Sequence, residues 1–245
     1  MSKKTLIAIA VAAGSTLLIA GGCTAPNAGK NEAVKPVAST APASPAKAEV
    51  DYTKMSPAAL AEYLVFESGS YDLKQPTQEG TTGRDRLIQD EIQKTCSLMN
   101  GQELDDKTRA KVMALAAASI KYPEGGIKLG DWKKGGELAW SGFGFRLAHK
   151  PDDHTKSEAG GNCYNCHEMA PDRTGGTIGF SLTAYGKNRG TSAEILKYTY
   201  DMIYNPNVYF ACTNMPRMGA AGVLSQQQIA DIMAYLFDPA SPVNK

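Results

Sequence analysis

Residues 160–167 read Gly-Gly-Asn-Cys-Tyr-Asn-Cys-His, and three of them can do chemistry that few other side chains manage. Cys163-x-x-Cys166-His167 is the attachment pattern of a c-type haem, in which each thiol adds across one vinyl group and the adjacent histidine ligates the iron. The tether needs its sulfurs one helical turn apart with the imidazole immediately beyond. Two other readings use the same cysteines. A redox-active C-x-x-C is expected near a βαβ pattern, and no strand–helix–strand alternation surrounds this one. A Cys2His2 zinc site could recruit His149 and His154 from upstream. Both leave His167 without a purpose, so covalent haem c is the expected cofactor.

The elements that must position this motif read as helices. Ser56 is a cap for a helix carrying Leu60, Tyr63 and Leu64 on one face and ending by Gly69. A second helix is expected from Gly83 to Leu98, with Leu87, Ile88, Ile92 and Cys96 at roughly helical spacing. A third runs from about Asp105 to Ile120 and stops at Tyr122-Pro123-Glu124-Gly125. Ser225 caps a last helix, to Phe237, whose stripe is Ile229, Ile232, Met233 and Leu236. Asp131 caps another, and its Gly135 would let a further helix cross closely, with Tyr235 a candidate to stack there. Glycine inside a helix costs about 1 kcal/mol relative to alanine, which argues for a packing reason. The stretch from about Trp140 to Asn162 reads as a loop. The expected fold is all-α.

Composition sets the compartment and excludes one partner class. The chain has 245 residues, 21% charged, with 26 basic and 25 acidic side chains. They are interspersed, with no basic stripe for a phosphate backbone, so no nucleic-acid partner is expected. Lys3 and Lys4, the apolar run Leu6–Ala20 and Gly21-Gly22-Cys23 match an export signal. Cys23 resembles the lipid-bearing cysteine of a bacterial lipobox, with Ala20 where Leu is usual; Thr24 in place of Asp would by resemblance sort a lipidated form to the outer membrane. A signal cut elsewhere, or kept as an anchor, is the other reading. Residues 24–50, rich in Ala, Pro, Ser and Lys, read as a flexible spacer. Of five cysteines, this leaves Cys96 and Cys212. In an oxidising compartment left-over thiols mostly pair, so a Cys96–Cys212 disulfide is expected, against two buried unpaired thiols.

Gly130-Asp131-Trp132-Lys133-Lys134-Gly135 resembles the opening helix of class I c-type cytochromes, which crosses the C-terminal helix at its glycine. Gly179-Phe180-Ser181-Leu182 is similar to the Gly-Pro-x-Leu of those proteins, in which the proline carbonyl accepts the second N–H of the proximal histidine. Phe180 replaces the proline but keeps a carbonyl. Lys187 and Arg189 are candidates to approach haem propionates, or are simply solvated. The class takes its sixth ligand from a loop before the last helix, which places Met215, followed by Pro216, on the iron with Met218 as runner-up. With His167 and Met215 filling both axial positions, the haem would carry electrons and no residue would be catalytic.

A narrower resemblance rests on Pro151-Asp152-Asp153-His154, Gly160 to His167, Gly176-Thr177-Ile178-Gly179, Tyr185-Gly186-Lys187, Ile203-Tyr204-Asn205, Met215-Pro216-Arg217-Met218-Gly219 and Ser241 to Lys245. Together these are similar to the longer form of the SoxX family, the monohaem subunit of the SoxAX cytochrome of sulfur oxidation, over residues 50–245. Met218, where the family commonly has Phe, and Phe180 depart from it. After the signal peptide with its candidate lipobox (1–23) and the flexible linker (24–50), the resemblance divides the chain into a helical N-terminal extension (51–125) and a cytochrome c domain (126–245). It implies a periplasmic heterodimer with SoxA, an L-cysteine S-thiosulfotransferase that couples thiosulfate oxidatively to a cysteine of the SoxYZ carrier. This chain would be the non-catalytic subunit that accepts the electrons and passes them to a downstream cytochrome c. The alternatives are an independent periplasmic electron carrier of another respiratory chain and a periplasmic dithiol oxidoreductase.

Overall fold

A computed structural model of the protein describes residues 50–77, 80–99, 101–144 and 157–245. The lipobox cysteine Cys23, the export segment, most of the linker, and His149 and His154 lie outside the described residues. Every regular element among the described residues is helical, so the fold is all-α as expected, and Asp51–Lys245 forms one compact unit. In chain order the helices are α1 (Pro57–Phe66), α2 (Gly83–Leu87), α3 (Glu91–Leu98), α4 (Asp106–Ser119), α5 (Trp132–Trp140), α6 (Tyr185–Arg189), α7 (Ala193–Tyr204) and α8 (Gln226–Phe237). Short 3-10 turns occupy Cys163–Asn165 and Pro206–Val208, among others. A lone antiparallel bridge joins Pro76 to Thr82. No helix among the described residues is long and apolar enough to cross a membrane.

Local chemistry starts these helices where the sequence says it should. The Ser56 and Asp131 side chains accept from the Ala59 and Lys133 amides, and Ser225 forms a reciprocal capping box with Gln228. The continuous helix expected from Gly83 to Leu98 is instead two. Asp90 breaks it by capping α3: its carboxylate accepts from Gln93 N, and the Gln93 side chain accepts from Asp90 N in return. This box satisfies amides that a through-going helix would have used otherwise. Helix α1 forms as expected, but none of its residues is buried; Phe66 at its end lies under the Arg84 guanidinium, 5.0 Å from the ring centre.

The main core is built where α5 crosses α8. A Cβ at Gly135 would run into the Asp231 carbonyl, and one at Gly136 would touch the Tyr235 ring 3.0 Å away, so only a glycine pair lets the two backbones meet at this distance. Asp231 ties the crossing from the other side by accepting from Asp131 N at 2.8 Å. Leu138, Ile229, Ile232, Met233 and Phe237 are buried around it, each contributing about 1.5–3 kcal/mol by leaving water. Helix α7 closes a third side through Tyr200, Ile203 and Tyr204. A smaller cluster of Ile92, Val112 and Ala116 lies between α3 and α4, with Cys96, Val208 and Ala211 packed against it.

Candidate functional site

The expected attachment motif folds as one turn. Both Cys166 N and His167 N donate to Cys163 O, at 3.1 and 3.0 Å, after Asn162 has turned the chain in a left-handed conformation (φ 49°). This brings the two sulfur-bearing positions and the imidazole to successive places on a single turn. Cys163 and Cys166 are both free thiols. Cys163 packs against the main core, where burial pushes its thiol up to about 11. A redox-active C-x-x-C shows the opposite, a thiol pKa drawn down toward neutrality.

His167 is held through one nitrogen. Its Nδ1 lies 2.8 Å from the Phe180 carbonyl oxygen. A carbonyl can only accept, so Nδ1 carries the proton, and in the neutral ring this leaves the lone pair on Nε2. The acceptor expected at Phe180 is therefore in place without a proline. Behind the ring, a Cβ on Gly179 would strike the imidazole itself. The segment from Gly176 to Leu182 lies along the motif through three backbone bonds: Gly176 N to Tyr164 O, Gly179 N to Cys166 O and Leu182 N to Glu168 O, all 2.7–2.8 Å. Flanking Gly179, Ile178 and Phe180 are 78% and 89% exposed, two large apolar side chains of a kind that a flat apolar ligand covers well.

Tyr164, between the two cysteines, fastens the motif to the core and is a residue the sequence reading passed over. Its hydroxyl shares a hydrogen bond of 2.6 Å with that of Tyr235 on α8 and accepts from Ala170 N. Burial, then the Tyr164 hydroxyl, push Tyr235 well above the ordinary tyrosine range. Trp140 meets the Tyr164 ring edge-on at 5.3 Å, and the Arg173 guanidinium covers Trp140 at 5.1 Å.

Met215 sits half-buried in the loop between Val208 and α8, its amide donating to Thr213 Oγ1 at 3.4 Å. Met218 packs against the same core cluster as Cys163 and accepts from both Val223 N and Leu224 N. Neither a hydrogen bond nor a shared cluster joins Met215 to His167, so the two methionines stand as alternative thioethers in one loop. The disulfide expected between Cys96 and Cys212 is present and closes that loop onto α3. Lys187 and Arg189 lie on α6; Arg189 is stacked over Tyr185 and Tyr198 at 5.3 and 5.7 Å. Among the described residues no cluster of three or more His, Cys, Asp or Glu is placed to hold a metal by itself.

A second cluster had no signal in the sequence because its members lie far apart. Asp201 on α7 is fully buried, and it accepts from Lys197 Nζ (2.6 Å), Tyr122 OH (2.9 Å) and Tyr209 OH (3.0 Å). The carboxylate holds the Lys197 ammonium far above its ordinary value, with Tyr122 adding to the effect. The group joins the α4–α5 connection, α7 and the start of the methionine loop.

The residues present thus fit a covalently held haem: two unpaired thiols on one turn, an imidazole with a fixed tautomer, apolar side chains beside it and thioethers across the sequence. No known family model matches the chain. An uncharacterized lipoprotein of Aquifex aeolicus (strain VF5) is 40% identical over 158 residues, 64% of this chain and 73% of that protein. At that identity and coverage, the chain belongs to the same family as the Aquifex lipoprotein.

Proposed function

We propose that this protein is an exported monohaem cytochrome of the class I c-type that transfers electrons, and that within this class it serves as the SoxX-like subunit of a thiosulfate-oxidising complex. Cys163 and Cys166 would hold the haem covalently and His167 and Met215 would ligate its iron, with Met218 the other thioether within the same loop. A bound haem supplies a one-electron ferric–ferrous couple. The chain's own residues supply its setting. Phe180 O fixes the imidazole tautomer and makes the ring a better donor, Gly179 lets the ring lie against backbone, and Tyr164 and Tyr235 keep the motif on the core. With His167 and Met215 both on the iron, no position would remain there for substrate, and the catalytic step would fall to a partner.

The observation that carries this reading is the 2.8 Å bond from His167 Nδ1 to a backbone carbonyl beside two free thiols. A dithiol site has no need of an imidazole oriented in this way, and a zinc site, which would use it, would need a fourth ligand beyond Cys163, Cys166 and His167. Export is supported by the N-terminal pattern, and the lipoprotein relative supports lipid on Cys23 and a membrane-tethered periplasmic protein. The partners that follow from the resemblance are SoxA, the SoxYZ carrier and a downstream cytochrome c.

The test is the absorption spectrum of protein matured in a host that attaches haem. A Soret band that survives acid–acetone extraction, with a weak ferric band toward the red from thioether ligation, is expected. A colourless protein, or a metal removed by chelators, overturns the reading. Co-expression with a SoxA partner tests the finer assignment: a chain that stays monomeric is an independent periplasmic carrier built on the same site.

A further inference from the structure

The loop that carries both methionines is held from outside the main core. Its start is fastened by Tyr209 to the buried Asp201 and by Cys212 N, which donates to Asn207 Oδ1 at 2.8 Å. Its middle is covalently joined to α3 by Cys96–Cys212, and Val208 and Ala211 rest on the small α3–α4 cluster. Beyond Met215, the Arg217 guanidinium donates to Asp90 Oδ2 at 2.6 Å, 127 residues away. Asp90 uses its two oxygens for different tasks: Oδ1 caps α3 and Oδ2 takes Arg217. Met215 lies between these two ties, three residues after the disulfide and two before the ion pair. The cluster that α3 and α4 build shares no residue with the main core or with the Cys163–His167 turn, while α4 meets the end of α7 through Ser119 Oγ, which accepts from Asn205 Nδ2 at 2.9 Å.

We infer that α3 is a brace for the methionine loop, with Asp90 and Cys96 acting as positioning residues for a thioether ligand they do not touch. The inference rests on the haem reading above for what the loop does, and on the ties alone for how it is held. A loop of about ten residues closed at both ends has few conformations to lose on ligation, so its thioether stays close by when it lets go. Cutting either tie should leave the core intact and make the loop open more often. The disulfide tie also makes ligation sensitive to a reductant, which would act at a distance from the iron.

The experiment uses the full-length matured protein, with amide hydrogen exchange followed by mass spectrometry. In Cys96→Ser/Cys212→Ser, amides of residues 211–219 should exchange at least ~10-fold faster than in wild type, and in Asp90→Asn ~3-fold faster, while amides of α5 and α8 keep their rates. Asn caps a helix about as well as Asp, so Asp90→Asn removes the tie to Arg217 and spares α3. Arg217→Lys should recover most of the protection lost in Arg217→Gln. The ferric thioether band should be lost to added imidazole at a ~10-fold lower concentration in the disulfide-free variant, as a ten-fold easier opening requires. Should that variant fail to fold, mild reduction of the wild-type disulfide gives the same readout. Unchanged exchange in the loop overturns the inference, and so does an equal rise throughout α5 and α8, which would make the ties general stabilisers. The two readings fail separately: a protein without haem sinks the cytochrome, whereas a haem protein with an indifferent loop sinks the brace.

Discussion

Gly179 and Tyr164 carry more of the site than their types suggest. The Gly179 Cα approaches the His167 imidazole so closely that Gly179→Ala must displace the ring or the strip of backbone bonded to Cys166 O. Either movement breaks the bond to Phe180 O. We expect Gly179→Ala to yield little or no protein with a normal haem spectrum, while Phe180→Leu, which keeps the carbonyl, matures normally. Equal yields from both variants would show that the close approach is dispensable. Tyr164→Phe removes the partner of the Tyr235 hydroxyl and the acceptor of Ala170 N inside the core. An unsatisfied buried group costs about 1–3 kcal/mol, so thermal unfolding should shift downward by several degrees. At this scale the sequence singled out the candidate ligands and was nearly silent about their supports. The C-x-x-C-H spacing names its own residues, and the carbonyl of Phe180 could be foreseen from the glycine before it. Nothing in the order of residues says that Tyr164 will reach Tyr235, 71 positions later.

Among the elements, the crossing of α5 and α8 is the one on which the rest is laid. Gly135→Ala puts a methyl group into the Asp231 carbonyl, and forcing the helices apart should cost about 2–3 kcal/mol, offset only slightly by alanine's better helix propensity. Urea unfolding would register this as a lower midpoint at unchanged slope. This crossing was legible because a glycine in a helix interior asks for a close neighbour, and the Ser56, Asp131 and Ser225 caps were legible because their side chains do their work within three residues. The break between α2 and α3 was not, since apolar spacing at Leu87, Ile88 and Ile92 continues across a boundary set by the Asp90–Gln93 capping box. Helix α7 escaped notice although Ser192 caps it and Leu196, Tyr200 and Ile203 line one side. Its neighbouring glycines and its polar buried members, Thr199 and Asp201, dilute the apolar stripe.

For the molecule as a whole, titration should define a broad plateau of stability. Asp85, Asp105 and Glu194 are held below the ordinary carboxylate range by the hydroxyls of Thr82, Thr108 and Ser192, with backbone amides adding to this. Asp90 is lowered too: burial works against its charge, but the Gln93 amide and Arg217 outweigh it. Groups with depressed folded values stabilise above their unfolded values and lose that contribution as pH falls through the folded ones. Tyr200 runs the other way, pushed up to about 12 by burial and then by Tyr204. Its contribution is complete below the unfolded tyrosine value of about 10 and declines as pH rises toward the folded one. Thermal midpoints should thus be level from about pH 5 to 9 and fall on both sides; a maximum confined to neutral pH would contradict this. At this scale the sequence foretold the disulfide by counting thiols, and gave no sign of the Asp90–Arg217 or Tyr122–Asp201 pairs, which only the folded chain brings together.

On the proposed reading, the sulfurs at 96, 163, 166 and 212 meet the same oxidant on export, yet two cross-link and two would have to stay available for haem. The fold sorts them by address: Cys96, packed against the small α3–α4 cluster, meets Cys212, whereas Cys163 packs against the main core with Cys166 on the same turn. If the correct pair closes first, the remaining thiols have no wrong partner among the described residues except each other. The bond that fastens a loop would then also be a proofreading step in biogenesis, shielding the Cys163–Cys166 turn from scrambling until the proposed haem is attached.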